Sequence, residues 1–187
     1  MKIILISGKA EAGKTTAANI IKYYLCGIGK RAAIVPYGQY VKDTAKMIFG
    51  WDGQKDENGR QLLQWWGTDV VRKKNENFWV NTVMRLADVL DGEIDYLIID
   101  DCRFPNEIDL WKDDINDINY WQIEWHEWSY LTLRIERPGH ENALNDKQRK
   151  HPSETALDDY EFDVTISATD FKELKEAIYE QVLPIIV

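Results

Sequence analysis

The residues Gly8-Lys9-Ala10-Glu11-Ala12-Gly13-Lys14-Thr15 fit G-x-x-x-x-G-K-[ST], a spacing whose chemistry is the binding of phosphate. Two glycines let the backbone curl tightly enough for successive N–H groups to point inward, and a helix that follows aims its positive end at the same spot. Lys14 is then placed to reach the β- and γ-phosphates of a nucleoside triphosphate, and the Thr15 hydroxyl to ligate Mg²⁺. Glu11, an acid inside a phosphate loop, is expected to point outward. A second site follows Leu97-Ile98-Ile99, where an apolar strand ends in Asp100-Asp101. A carboxylate at a strand's carboxyl end completes a phosphate-loop site by meeting Mg²⁺ or its water shell. Strand alternation sends the two acids to opposite sides, so one faces the metal and the residues leave open which.

Moving a phosphoryl group needs dispersed cations. Arg60, Arg72, Arg103, Arg134, Arg137 and Arg149 lie in or beside the expected loops, and Arg103 and Arg137, each just after a strand, are favoured; Arg60 and Arg149 read equally well as solvated surface charges. Tyr37, Tyr40, Trp65, Trp66 and Trp79 come from helical stretches that could cover an acceptor, where a flat base could stack, although most tryptophans are expected in the core. His126, His140 and His151 have no metal-ligand spacing.

These groups need a scaffold, and the apolar pattern supplies one. Short apolar runs at Ile3–Ile6, Ala32–Val35, Tyr96–Ile99, Leu131–Ile135 and Asp163–Ser167 read as strands. Helical spacing marks the stretch after Lys14, then Gly38–Phe49, Arg60–Lys73 with a bend near Gly67-Thr68-Asp69, Phe78–Leu90, Phe104–Ile118, a short helix capped by Ser153, and Phe171–Val182. The segment Asn119–Ser129, with aromatic residues alternating with Gln, Glu and His, fits an edge strand or a packed insertion. Buried-type strands separated by helices predict an α/β fold: a five-stranded parallel sheet with helices on both faces.

Bulk composition narrows the function. The 187 residues suit one domain, and the net charge of −9 argues against a broad nucleic-acid-binding face. Cys26 and Cys102 lack metal-type spacing and predict reduced thiols. The N-terminal apolar run is too short for a signal peptide or a membrane span, so no membrane partner and a cytoplasmic location are expected.

The chain resembles the phage-type deoxynucleoside monophosphate kinases, a branch of the P-loop nucleoside monophosphate kinases. The resemblance rests on Gly8-Lys9-Ala10 with Gly13-Lys14, on Arg60-Gln61-Leu62-Leu63-Gln64 followed by Gly67-Thr68-Asp69 and Arg72, on Asp101-Cys102-Arg103-Phe104-Pro105-Asn106-Glu107, and on His151-Pro152-Ser153-Glu154. It spans most of the chain. It implies a P-loop NTPase three-layer fold in a single domain, with a core (1–36, 92–136 and 160–187), a helical acceptor-binding region (37–91) and a lid (137–152). It implies transfer of the ATP γ-phosphoryl group, with Mg²⁺, to a 2′-deoxynucleoside 5′-monophosphate, in the host cytoplasm if the source is a phage. Carried over by position, Gly8, Lys9, Ala10, Glu11, Ala12, Gly13, Lys14, Thr15 and Thr16 bind ATP; Lys14, Asp101, Arg103 and Arg137 are catalytic; Lys42, Arg72, Trp66, Trp79 and Tyr37 bind the acceptor; and Thr15, Asp100 and Asp101 are the metal candidates. Many relatives carry an acid directly after the P-loop lysine where this chain has Thr15, and Trp121–Trp128 has no counterpart in the family pattern.

Two readings compete. Another small-molecule P-loop kinase, phosphomevalonate kinase-like, shares much of the D-x-R and H-P-S-E pattern, but an acceptor without a base has less need of the aromatic-rich helices. A nucleotide-binding regulatory ATPase is the other, although the chain lacks N-K-x-D after its fourth strand. Base preference, deoxy- against ribonucleotide selectivity and oligomeric state, a homodimer included, stay open.

Overall fold

The computed structural model describes residues 1–112 and 128–187. Its centre is a five-stranded sheet in the order β2-β3-β1-β4-β5, with β1 Lys2–Ser7, β2 Ala32–Ile34, β3 Tyr96–Cys102, β4 Ser129–Glu136 and β5 Val164–Ser167. Every neighbouring pair is parallel, with Ile4 opposite Ile98 on one side and Leu131 on the other. The all-apolar centre of β1 follows from this position. A central parallel strand is covered on both faces, so Ile3, Ile4, Leu5 and Ile6 are all buried with no polar alternation.

Two apolar layers cover the sheet. On one face Ile4, Ile6, Leu133 and Ile135 pack with Ala17, Ile21 and Leu25 of α1 (Lys14–Gly27) and with Leu174, Ile178 and Val182 near the carboxyl end. On the other, Ile3, Leu5, Leu97 and Ile99 pack with Val80, Val83 and Ala87 of α4 (Phe78–Leu90) and with Tyr37 at the start of α2 (Tyr37–Phe49). The helices thus lie on both sides, and every β-to-α loop opens at the same edge.

Several boundaries differ from the sequence expectation. The helix expected from Arg60 begins at Glu57, because the Asp56 carboxylate accepts from the Gly59 N–H at 2.7 Å and caps it. This α3 (Glu57–Gln64) continues as a π-helical segment, Trp65–Arg72, where the bend was expected. The strand β3 runs on through Asp100 and Asp101 to Cys102, so both acids sit within the sheet rather than after it. Of the helix expected over Phe104–Ile118, the described part is α5 (Asn106–Lys112), and the segment Trp121–Trp128 lies outside the described residues except for Trp128.

The short helix α7 is Pro152–Thr155, after α6 (Asp146–Arg149), and its cap is His151 rather than Ser153. The His151 ring nitrogen Nδ1 accepts from the Ser153 N–H at 3.2 Å, and Pro152 takes the first helical position, where its missing N–H costs nothing. The last helix, capped by Asp170, runs from Phe171–Ala177 (α8) through a π-helical turn, Ile178–Val182, into Leu183–Ile186 (α9), beyond the expected end. Among the described residues no helix is long and apolar enough to cross a membrane.

Candidate active site

The loop from Gly8 to Gly13 leaves β1 and enters α1 at the carboxyl edge of the sheet. Three of its residues take positive φ: Gly8 at 153°, Glu11 at 64° and Gly13 at 101°. At Gly8 the requirement is steric as well, since a Cβ there would lie 2.3 Å from the Ile135 carbonyl oxygen at the end of β4. The curl is therefore locked against the sheet. Glu11 turns outward, as its charge predicts, with His140 Nε2 3.3 Å from its carboxylate.

Lys14 is buried and curls back over the loop, donating to the Gly8 and Lys9 carbonyls at 2.8 and 2.7 Å. Burial, with Arg103 adding repulsion, brings its pKa down to about 7. The next residue, Thr15, donates its hydroxyl to Asp100 Oδ2 at 2.6 Å. These two oxygens, one from the start of α1 and one from β3, form a hard-oxygen pair that fits Mg²⁺, an ion held by few protein ligands, water and substrate phosphates. No group of three His, Cys, Asp or Glu side chains suited to a metal occurs among the described residues, so the protein alone builds no metal cage there.

The two adjacent acids line the same cavity but have different partners. The two oxygens of Asp101 accept the Tyr37 and Gly38 N–H groups at 2.8 and 2.7 Å, at the first turn of α2. Burial raises its pKa and the Asp100 charge adds to this, while the two amides oppose the shift. A carboxylate at a helix N-terminus meets two orphan donors and the positive end of the dipole. Asp101 therefore fixes where α2 starts.

A cavity of about 810 Å³ extends from this phosphate loop across the mouth of the sheet. Its lining includes Lys14, Thr15, Asp100 and Arg103 from around the phosphate loop and the end of β3, Lys42, Lys55 and Arg60 from α2, α3 and the loop between them, and the apolar and aromatic side chains of Val41, Leu63, Trp79 and Phe104. Burial, then repulsion from Lys42, Arg60 and Arg103, lowers the pKa of Lys55. Neither Lys42 nor Lys55 has an ion pair among the described residues, which leaves two ammonium groups facing the same space.

Arg72 reaches the cavity but is already engaged. Its guanidinium donates to Glu107 Oε1 at 3.0 Å and to Asn106 Oδ1 at 2.6 Å, and it stacks over the Phe104 ring, 3.8 Å from the centroid. Glu107 also accepts from the Arg103 and Phe104 N–H groups. Burial raises its pKa to about 7 despite the Arg72 charge. The stretch Arg103-Phe104-Pro105-Asn106-Glu107 thus wraps Arg72 into a rigid block beneath the cavity.

The aromatic candidates divide. Tyr37 and Trp79 line the cavity; the Tyr37 hydroxyl donates to the Glu107 carbonyl at 2.9 Å and the Trp79 indole N–H to the Gly67 carbonyl at 3.1 Å. Trp66 is not in the cavity wall. Its indole donates to Thr44 Oγ1 at 2.8 Å and packs on Phe49, both on α2. Arg137 is also elsewhere, beside a separate cavity of about 250 Å³ formed with Lys9, Ala12, Arg134 and His140, and it donates to the Thr169 carbonyl at 3.3 Å.

Sequence reasoning passed over Lys55, and named Glu154 only within His151-Pro152-Ser153-Glu154, without a role of its own. Lys55 lies in a polar loop with no periodicity to flag it. Glu154 accepts from the Ala10 N–H of the phosphate loop at 3.0 Å and pairs closely with Arg103, contacts that span the chain.

Comparison with protein-family models gives no match, and comparison with curated protein sequences gives none either. Similar solved structures include the APS kinase CysC of Mycobacterium tuberculosis in complex with AMPPNP and APS, 13% identical with a TM-score of 0.47, over 96% of this chain and 95% of that one. The Cys556Ala mutant of that kinase is 11% identical, with a TM-score of 0.45 over 96% and 94% of the two chains. APE1195 is 12% identical, with a TM-score of 0.46 over 99% and 96%. These likenesses are too distant to carry an argument about what this chain binds.

Proposed function

We propose that this chain is a P-loop kinase that transfers the γ-phosphoryl group of ATP to a deoxynucleoside 5′-monophosphate. The observation that carries this reading is one cavity lined both by the Lys14 loop and by a second set of cations, Lys42, Lys55 and Arg60. A protein that only binds or hydrolyses a nucleotide has no need of the second. Ammonium groups without an ion pair in the cavity wall favour an anion, and a phosphate monoester fits their charge. The aromatic and apolar surface between Trp79, Phe104, Val41 and Leu63 fits a flat base, and the motif resemblance points the same way.

In this reading the loop amides and Lys14 hold the donor's phosphates, while Lys42, Lys55 and Arg60 hold the acceptor's phosphate with one oxygen in line. That oxygen attacks the γ-phosphorus, the bond to the β-bridging oxygen breaks, and ADP leaves. Thr15 and Asp100 would hold Mg²⁺, which when bound would supply positive charge to neutralise the donor's phosphates. Arg103, in the wall of the same cavity, stabilises charge on the moving group. Asp101 keeps α2, and with it Lys42, in register with the phosphate loop.

The test is ADP release with Mg²⁺-ATP and a panel of deoxy- and ribonucleoside monophosphates, with an acceptor-free control. Formation of matching diphosphates supports the reading. An equal rate without acceptor points to an ATPase instead. Silence across the nucleotides with turnover of another phosphorylated small molecule keeps the kinase and discards the base.

A further inference from the structure

The phosphate loop makes its closest polar contacts with a segment far along the chain. The Ala10 N–H donates to Glu154 Oε2 at 3.0 Å, and Oε1 of the same carboxylate is in a close ion pair with Arg103. Arg103 Nη1 also donates to the Ser153 carbonyl at 3.1 Å. Lys9 completes the arrangement: its ammonium donates to the Glu154 carbonyl at 2.5 Å and pairs with the Asp158 carboxylate. The Glu154 side chain is 7% exposed, so this is a built contact and not a solvated encounter.

The chemistry of these donors decides what the contact means. A loop N–H that points into a phosphate cradle carries one hydrogen, and a phosphate oxygen is its usual acceptor. A carboxylate makes the same kind of charge-assisted bond. Both cannot accept from it together, and two anions sharing Ala10 and Arg103 would repel. Arg103 is the cation that phosphoryl transfer needs nearest the moving charge, and its guanidinium faces Glu154.

We propose that Glu154 is a tethered competitor for the donor's phosphate, exchanged for a phosphate oxygen when the donor binds. This rests on the reading of Gly8–Thr15 as the phosphate site and not on the identity of the acceptor. The exchange makes donor affinity lower than the loop alone provides, in proportion to the fraction of molecules in which Glu154 has let go. It also hands Arg103 to the phosphate only when a phosphate is present, so that the cation and its substrate arrive together.

The experiment measures binding, not turnover. The full chain and its E154Q and E154A variants are titrated calorimetrically with inorganic tripolyphosphate, with a non-hydrolysable ATP analogue, and with adenosine as a phosphate-free control. E154Q keeps the shape and removes the charge, which guards against a cavity effect in E154A. Tripolyphosphate and the analogue should bind about tenfold tighter to both variants, the size of one released charge-assisted bond, with adenosine unchanged. Equal or weaker phosphate affinity in both variants, with melting temperatures near that of the parent, would overturn the proposal and make Glu154 a residue that orients Arg103. If the parent and both variants all fail to bind tripolyphosphate and the analogue, the phosphate-loop reading itself falls, and the proposal with it.

Discussion

At the scale of single residues, the groups that matter are those whose charge depends on their surroundings. Lys14, held at a pKa of about 7 by burial and by Arg103, is about half protonated near neutral pH. A bound triphosphate supplies negative charge beside it and favours the ammonium form. Below pH 7 the proton is already present; above it, binding must take one up. Donor affinity is therefore expected to weaken by up to tenfold per pH unit above 7, with proton uptake seen when calorimetry is repeated in buffers of different ionisation enthalpy. A flat profile between pH 6.5 and 8.5 would contradict this.

The pair Arg72 and Glu107 makes a second case, because both side chains are nearly buried. Removing the cation alone leaves a carboxylate without its partner, which costs about 3–5 kcal/mol in a buried pair. The sign with pH follows from Glu107. Its folded pKa is raised to about 7, so the folded state favours the protonated form, and stability is lost as pH rises from the unfolded value through 7. Without Arg72 that pKa rises further. The variant R72M should thus be destabilised by about 3 kcal/mol in urea unfolding at pH 8 and by clearly less at pH 5. Equal losses at the two pH values would show that packing on Phe104, and not charge, is what Arg72 provides.

At the scale of elements, α3 positions the second cationic group. Its first turn is folded tightly on the preceding loop: a Cβ at Gly59 would lie 2.0 Å from the Gln54 carbonyl oxygen and 2.9 Å from Trp51 Nε1. Arg60 reinforces the same loop by donating from Nε to the Lys55 carbonyl at 3.0 Å. The variant G59A must push the loop off the helix and separate Lys55 from Arg60. In steady-state kinetics the acceptor KM should rise about tenfold or more, the effect of losing one charge-assisted contact, while donor affinity stays near that of the parent. Equal damage to both substrates would mean that α3 supports the whole fold. This loop also shows what sequence can and cannot say. The phosphate loop, β1 and α4 were legible because each is specified locally, by glycine spacing, by an unbroken apolar run, or by an apolar stripe that ends where the structure ends it, at Leu90. The roles of Asp100 and Asp101 were not, since they depend on which helix end docks against β3. Trp66 and Trp79 look alike in sequence, and only the packing of their separate helices puts one outside the cavity and the other in its wall. Lys55 carries no local signal at all; its place in the cavity wall near Lys42, Arg60 and Arg103, cations from separate elements, singles it out.

At the scale of the whole molecule, two opposing fields act on an anionic substrate. The chain carries a net charge of −9, which repels it, while the cavity presents Lys14, Lys42, Lys55, Arg60, Arg72 and Arg103 at close range, set among the acids Glu11, Asp100, Asp101, Glu107 and Glu154. Distance decides between them. A charge about 4 Å away is worth about 4 kcal/mol at an effective dielectric of 20, whereas charges beyond about 10 Å are largely screened in 0.1 M salt. If the surface acids dominated, added salt would relieve repulsion and tighten binding. If the cavity dominates, salt competes with its cations and weakens binding. The second outcome is expected: between about 50 and 200 mM KCl the affinity for a non-hydrolysable ATP analogue should fall about threefold, since the partly buried cations are screened less than surface ones. The variant K55M should weaken acceptor binding and flatten its salt dependence while leaving the donor's slope unchanged, because the proposed function sets Lys55 against the acceptor's phosphate. Binding that tightens with salt would place the governing charges on the outer surface and remove the cationic wall from the argument for a phosphate-bearing acceptor.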